Sequence, residues 1–126
     1  MSPTNSPDVP PTPKTPIGAL GHALTLVGNA IALAKQGLVK NPSKEEEREL
    51  NDTIHDLELL RTMIVAKMDA LIDKTRVITG PTPEQVAKVS ALTTEVGALT
   101  QANVTASAAV ALTTKVLAAA AQVAAG

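Results

Sequence analysis

The densest group of side chains that could bind a metal or transfer protons lies in DTIHDLE, residues 52–58. It holds three aspartate or glutamate carboxylates and one histidine, and Asp52 and His55 share a helix face because they are three positions apart. Metal sites in helical bundles need further ligands from facing helices. The acids and histidine that the other predicted helices offer are Glu84, Glu95 and His22. These are too few, so the segment is predicted to be a solvated helix face without a metal.

Nucleophilic and cofactor chemistry has still less support. The chain has no cysteine, which excludes disulfides, thiolate nucleophiles and cysteine-based metal sites. Its five serines lie in the N-terminal segment, at a predicted helix start or among neutral residues, without a visible histidine and acid partner. Neither G-x-x-x-x-G-K nor G-x-G-x-x-G occurs. We therefore expect no catalytic activity and no cofactor.

The composition excludes a further class of partner. The net charge is −1, and there is no Phe, Tyr or Trp. Nucleic-acid binding by a basic patch and by base stacking is therefore not expected. The core must be built from Leu, Ile, Val, Met and Ala. Alanine (21 residues) and threonine (15 residues) dominate the composition, a bias typical of a GC-rich bacterial genome.

The segment TPIGALGHALTLVGNAIALA, residues 15–34, carries no charge and raises the question of a membrane span. His22, Asn29 and Gln36 form one polar stripe on a helix, and this stripe lies opposite an apolar seam. The seam has the 3-4 spacing of a packed helix and consists of Ile17, Leu20, Leu24, Val27, Ile31, Ala34 and Leu38. This segregation and the lack of aromatic anchors favour a bundle helix over a membrane span.

The same segment ends in Ala32-Leu33-Ala34, which matches the A-x-A pattern of a signal-peptide cleavage site. The preceding residues are proline-rich, contain Asp8 and have Lys14 as their only basic side chain. We therefore expect no cleaved signal peptide.

Helix boundaries follow from local signals. Three helix starts are predicted at N-cap residues that precede a proline or complete a capping box: Thr15, Ser43 and Thr82. Helix ends are predicted at Gly37 and Gly80. The predicted fold is all-α: an antiparallel three-helix bundle or long helical hairpin with coiled-coil-like packing. Its parts are a disordered Pro/Ser/Thr-rich tail at 1–15 and helices at about 16–38, 43–79 and 83–124.

The second predicted helix is strongly charged, with 15 of the 23 charged residues between Lys44 and Arg76. Its acidic start, KEEERE at 44–49, matches the helix dipole and is predicted to be solvated rather than a docking patch. Arg61 falls on the apolar face of this helix. We expect its stem to lie along the rim of the core with its charge in water. The alternative is a buried polar contact with Thr100, Gln101 or Asn103 across a hairpin.

The third predicted helix is long and nearly uncharged. Its 3-4 spacing continues through Asn103 to Ala120, and an unbroken helix would be about 60 Å long at 1.5 Å per residue. That is longer than the first helix, so the third helix either bends near 100–105, or its Ala-rich end projects from the bundle or pairs with another chain. Asn103 either sets the register of a seam or is tolerated at a bend.

These observations favour a non-catalytic protein that acts through contact with a protein partner or by self-association. The alternative is a lipid- or membrane-surface protein that uses residues 15–38, where Leu26 and Leu33 widen the apolar surface beside the polar stripe. We expect a soluble chain without a transmembrane helix. The compartment is left open, and the proline-rich tail is compatible with secretion by a non-classical route.

Overall fold

The computed structural model describes residues 15–74, 80–101 and 103–125. They form four helices, with no strand among them: α1 (Pro16–Leu38), α2 (Lys44–Asp73), α3 (Pro83–Gln101) and α4 (Ala106–Ala125). The all-helical prediction is confirmed, but the count of three helices is wrong because the predicted third helix is two helices. Of the predicted tail at 1–15, residues 1–14 lie outside the described residues, and Thr15 is the N-cap of α1. The predicted end of the second helix at 75–79 also lies outside the described residues.

The bounds of α1 are those predicted. Thr15 Oγ1 accepts a 3.0 Å hydrogen bond from the backbone N–H of Gly18, and Pro16 occupies the first turn, where its missing N–H costs no helical bond. Gly37 does not end this helix, because the helical conformation continues to Leu38 and Val39 is the C-cap.

The starts of α2 and α3 are both reciprocal capping boxes. The side chain of Glu46 accepts from Ser43 N at 2.9 Å, and Ser43 Oγ accepts from Glu46 N at 3.1 Å. The same pair of bonds joins Thr82 and Gln85, at 3.0 and 3.2 Å. Each box satisfies two backbone N–H groups that a helix start leaves unpaired.

The predicted third helix breaks between Gln101 and Ala106. Thr105 begins α4, since its Oγ1 accepts from Ala108 N at 3.1 Å and its carbonyl from Ala109 N at 3.0 Å. A threonine that caps a new helix start competes with continuation of the old helix. Of the two predicted outcomes, a bend is therefore correct, and α4 folds back against α3.

The bundle is built around α1 and α4. Each of these two helices contacts all three others, whereas α2 and α3 share no contact within the described ranges. The helices alternate in direction, so α2 and α4 run parallel to each other and antiparallel to α1. The two helices with the longest uncharged stretches therefore fill the centre, and this arrangement removes most apolar surface from water.

The core face of α1 is broader than the predicted seam. At 100° per residue its buried positions cover about 160° of the helix surface. They are Ala19, Leu20, Ala23, Leu26, Val27, Ala30, Ile31, Leu33, Ala34 and Gly37. Ile17, the first seam residue, is 36% exposed, because the face is centred between the seam and the flank that carries Leu26 and Leu33.

Three helices pack closely together at Gly37. A Cβ placed on this glycine would lie 2.7 Å from the Cβ of Ala109 in α4 and 3.2 Å from Cδ1 of Leu50 in α2. The absent side chain is what allows α1 to pack against both neighbours at this end of the bundle.

Candidate interaction surfaces

The acids and the histidine of the segment 52–58, which was predicted to be solvated, lie on the outer face of α2. Asp52, His55, Asp56 and Glu58 are all exposed. The acids of α3 cannot join them, because α3 does not contact α2. Among the residues that the structure describes, no three histidine or carboxylate side chains are placed to hold a metal ion.

His22 is instead part of the contact between α1 and α3. Its Nε2 lies 3.3 Å from Oγ1 of Thr93, and the Thr93 hydroxyl donates its only proton to the carbonyl of Val89 at 2.8 Å. This half-buried pair joins α1 to α3.

Arg61 and Asn103 are not brought together. Arg61 is exposed on α2, and Asn103 is exposed in the connection between α3 and α4. The hairpin that would have joined Arg61 to Thr100 or Asn103 is not formed, because α4 packs beside α2 and α3 does not. Asn103 belongs to no helix and cannot set a seam register.

Leu26 and Leu33 are in the core. Both are fully buried, at 0% exposure, although they flank the predicted seam of α1. Contact between these two leucines and a lipid surface or a partner would require α1 to leave the bundle.

Lys67 is a buried cation that was not predicted from the sequence. It is 7% exposed, on the core face of α2, and its Nζ donates a 3.1 Å hydrogen bond to the carbonyl of Val123 near the end of α4. The signal was present in the 3-4 spacing of the core face, which runs through Leu50, Thr53, Leu57, Leu60, Ile64, Lys67 and Leu71. A buried ammonium group held by a helix end is a structural anchor between α2 and α4.

A second polar cluster joins the starts of α2 and α4. Ser107 donates a 2.6 Å hydrogen bond to Oε2 of Glu46, whose Oε1 already accepts from the backbone of Ser43. The Ser107 hydroxyl, followed by the Ser43 backbone N–H, lowers the pKa of Glu46 below its ordinary 4.5, while desolvation opposes them. The arrangement fits helix capping at the starts of α2 and α4.

The exposed apolar surface is concentrated on α2. Among the described residues, four of the six exposed large hydrophobic side chains lie on this helix: Leu59, Met63, Val65 and Ile72. Leu59, Met63 and Ala66 follow one another at four and three positions and lie within about 60° on the helix surface. We call these three residues the α2 ridge.

A shallow groove runs along the outer side of α3 and α4. It is lined mainly by alanine and leucine, with charged residues at its edges. The lining residues are Lys88, Ala91, Leu92, Glu95, Ala98 and Leu99 of α3 and Ala108, Ala111, Leu112, Lys115 and Ala118 of α4. We call this the α3–α4 groove.

Two helices, α1 and α4, are long and apolar enough to cross a membrane by length and composition. Half of the most apolar window of α1 and 44% of that of α4 are buried inside the bundle. The sequence raises the question of a membrane span only for α1, because α3 and α4 are predicted from it as one long helix. The expectation of a soluble chain without a transmembrane helix therefore stays a prediction.

Comparison of this chain with protein-family models, curated proteins and solved structures gives no match.

Proposed function

We propose that this protein is a non-catalytic helical bundle that acts by binding another protein chain through the α2 ridge. The observation that carries the proposal is the exposure of adjacent large apolar side chains on the most charged helix. Leu59 is 53% exposed and Met63 is 48% exposed. Full burial of such a side chain is worth about 1.5–3 kcal/mol, so a partner that covers both gains appreciable binding free energy.

The chemistry of the ridge supports a protein partner rather than a small molecule. A convex row of side chains encloses no ligand, whereas small-molecule sites are concave. Contiguous exposed apolar residues with a polar rim are typical of protein-binding surfaces, and methionine adapts its shape to a partner. Exposed acids surround this ridge, including Asp56 and Asp69.

The test is retention of proteins from a lysate of the producing cells on the immobilised full chain. The wild type and Met63→Glu are compared with Val39→Glu, which changes an equally apolar residue that is 77% exposed in the connection before α2. We expect the wild type and Val39→Glu to retain the same chain, either this protein or another, and Met63→Glu to lose it. Equal retention by all three, or no retention by the wild type, would overturn the proposal.

The second candidate is membrane contact through α1, supported by the length and apolarity of α1 and α4. In lipid these helices would span about 34 and 30 Å at 1.5 Å per residue, close to the thickness of a hydrocarbon core. Against it, Lys115 lies near the middle of α4, where a charge is costly in a bilayer. Flotation of the full chain with neutral and with anionic liposomes separates the two candidates. Protein left in the aqueous fraction counts against membrane contact, and protein that floats with the liposomes favours membrane contact.

A further inference from the structure

We infer that the α2 ridge binds in the α3–α4 groove of a second copy of this chain. The inference rests on the proposed function and deepens it, since it names both the partner and the surface that receives the ridge.

The two surfaces are complementary in shape. The ridge presents the large side chains of Leu59 and Met63, which are about half exposed. The groove presents small side chains, and Ala91, Ala98 and Ala111 are exposed along it. Large side chains that enter spaces between small ones are the usual basis of close helix packing.

The two surfaces are also complementary in charge. Between Lys44 and Asp73, α2 has nine acidic and four basic residues, a net charge of −5. Asp56 and Asp73 lie beyond the two ends of the ridge on the same side of α2. The charged residues that line the groove are two lysines, Lys88 and Lys115, and one acid, Glu95, a local net charge of +1. The charge of the groove is therefore opposite to that of the acids that flank the ridge of another copy.

The alternative pairings are disfavoured. The ridge cannot occupy the groove of its own chain, because α2 and α3 do not touch in the described part of the bundle. Ridge-to-ridge pairing would bring two α2 helices of net charge −5 together, and like charges at an interface are unfavourable.

The test uses the purified full chain and measures its mass by sedimentation equilibrium over a range of concentrations. Met63→Glu places a charge in the centre of the α2 ridge. Ala91→Arg combined with Ala98→Arg places two large side chains in the α3–α4 groove. Val39→Glu is the matched control outside both surfaces. Circular dichroism confirms that each variant is folded. We expect the mass of the wild type and of Val39→Glu to rise above 12.9 kDa with concentration, and each surface variant to stay at 12.9 kDa.

Mixing the two surface variants is the decisive step. The Met63→Glu copy keeps an intact groove and the arginine variant keeps an intact ridge, so the mixture should form a pair of about twice the chain mass. A wild-type mass of 12.9 kDa at every concentration would overturn the inference. The proposed function would still stand if the lysate experiment retains a different chain. Loss of association in Met63→Glu but not in the arginine variant would overturn the groove as the receiving surface.

Discussion

Nζ of Lys67 donates a 3.1 Å hydrogen bond to the main-chain carbonyl of Val123, 56 positions later in the chain. This carbonyl is one of the last four of α4, so the helix has no N–H donor for it. The positive charge also lies at the negative end of the helix dipole. The Lys67 side chain of α2 therefore supplies the missing donor for a carbonyl at the end of α4.

Replacement of Lys67 by Met should lower the free energy of unfolding by about 1–3 kcal/mol, the usual worth of a hydrogen bond to a charged group. Arg61→Met is the matched control, because it removes a cation from an exposed position of the same helix and should change stability by less than about 0.5 kcal/mol. Urea unfolding measures both. Equal effects of the two substitutions would contradict the role assigned to Lys67.

Gly37→Ala should destabilise the protein by about 1–3 kcal/mol, the usual cost of overpacking a close contact. The new Cβ would lie 2.7 Å from that of Ala109, and neither backbone can move without disturbing the core. Gly28→Ala is the control, since a Cβ at this position of α1 meets nothing within 4 Å. It should stabilise the protein by up to about 1 kcal/mol through helix propensity. Thermal melts of both variants test this, and a shift of the same sign in both would contradict the close approach.

The stability of the protein should fall as the pH drops below about 4.5, the ordinary pKa of Glu46. The folded state lowers the pKa of this carboxyl, so its contribution is present above the unfolded pKa and is lost as pH falls through the folded pKa. Ser107→Ala should raise the pKa of Glu46, because the Ser107 hydroxyl is the largest cause of the shift. Carboxyl NMR titration measures this.

The second serine at this site provides the control for that titration. Ser43→Ala removes a smaller part of the pKa shift of Glu46 but also removes the N-cap of α2, which is worth about 1 kcal/mol at neutral pH. A larger pKa change in Ser43→Ala than in Ser107→Ala would contradict the assignment.

Ser90→Ala should leave stability unchanged or raise it by up to about 1 kcal/mol. Oγ of Ser90 is shielded from solvent and has no hydrogen-bond partner among the described residues, so its removal loses no bond and improves helix propensity. Thr93→Val on the same helix should instead cost about 0.5–1.5 kcal/mol, because Thr93 bonds to both His22 and Val89. Chemical unfolding measures the stability of both variants. A loss of stability in Ser90→Ala would contradict this prediction.

Much of the local structure could be predicted from the sequence, because capping is a short-range interaction. Thr15, Ser43 and Thr82 each accept the expected backbone hydrogen bond at a helix start. The break before Thr105 was harder to locate, since the apolar spacing continues through it without a change of period.

The arrangement of the helices and the candidate surfaces could not be predicted in the same way. The sequence favours contact between consecutive helices, yet α2 and α3 are separated by the α1–α4 pair. The sequence places Arg61 on the apolar face of α2, whereas the buried cation of this helix is Lys67, six positions later. The exposure of Leu59 and Met63 depends on which side of α2 the neighbouring helices cover, and that depends on long-range packing.

The pairing of α1 with α4 also constrains how the chain can fold during synthesis. The ribosome makes α1 first and α2 next, but α4, which covers another part of the core face of α1, is translated about seventy residues after α1, so that part of the face stays open meanwhile. Nascent chains halted before residue 106 would present it as a substrate for chaperones and quality-control proteases. Because these contacts join helices far apart in sequence, we expect docking of α4 to be a late and slow step of folding.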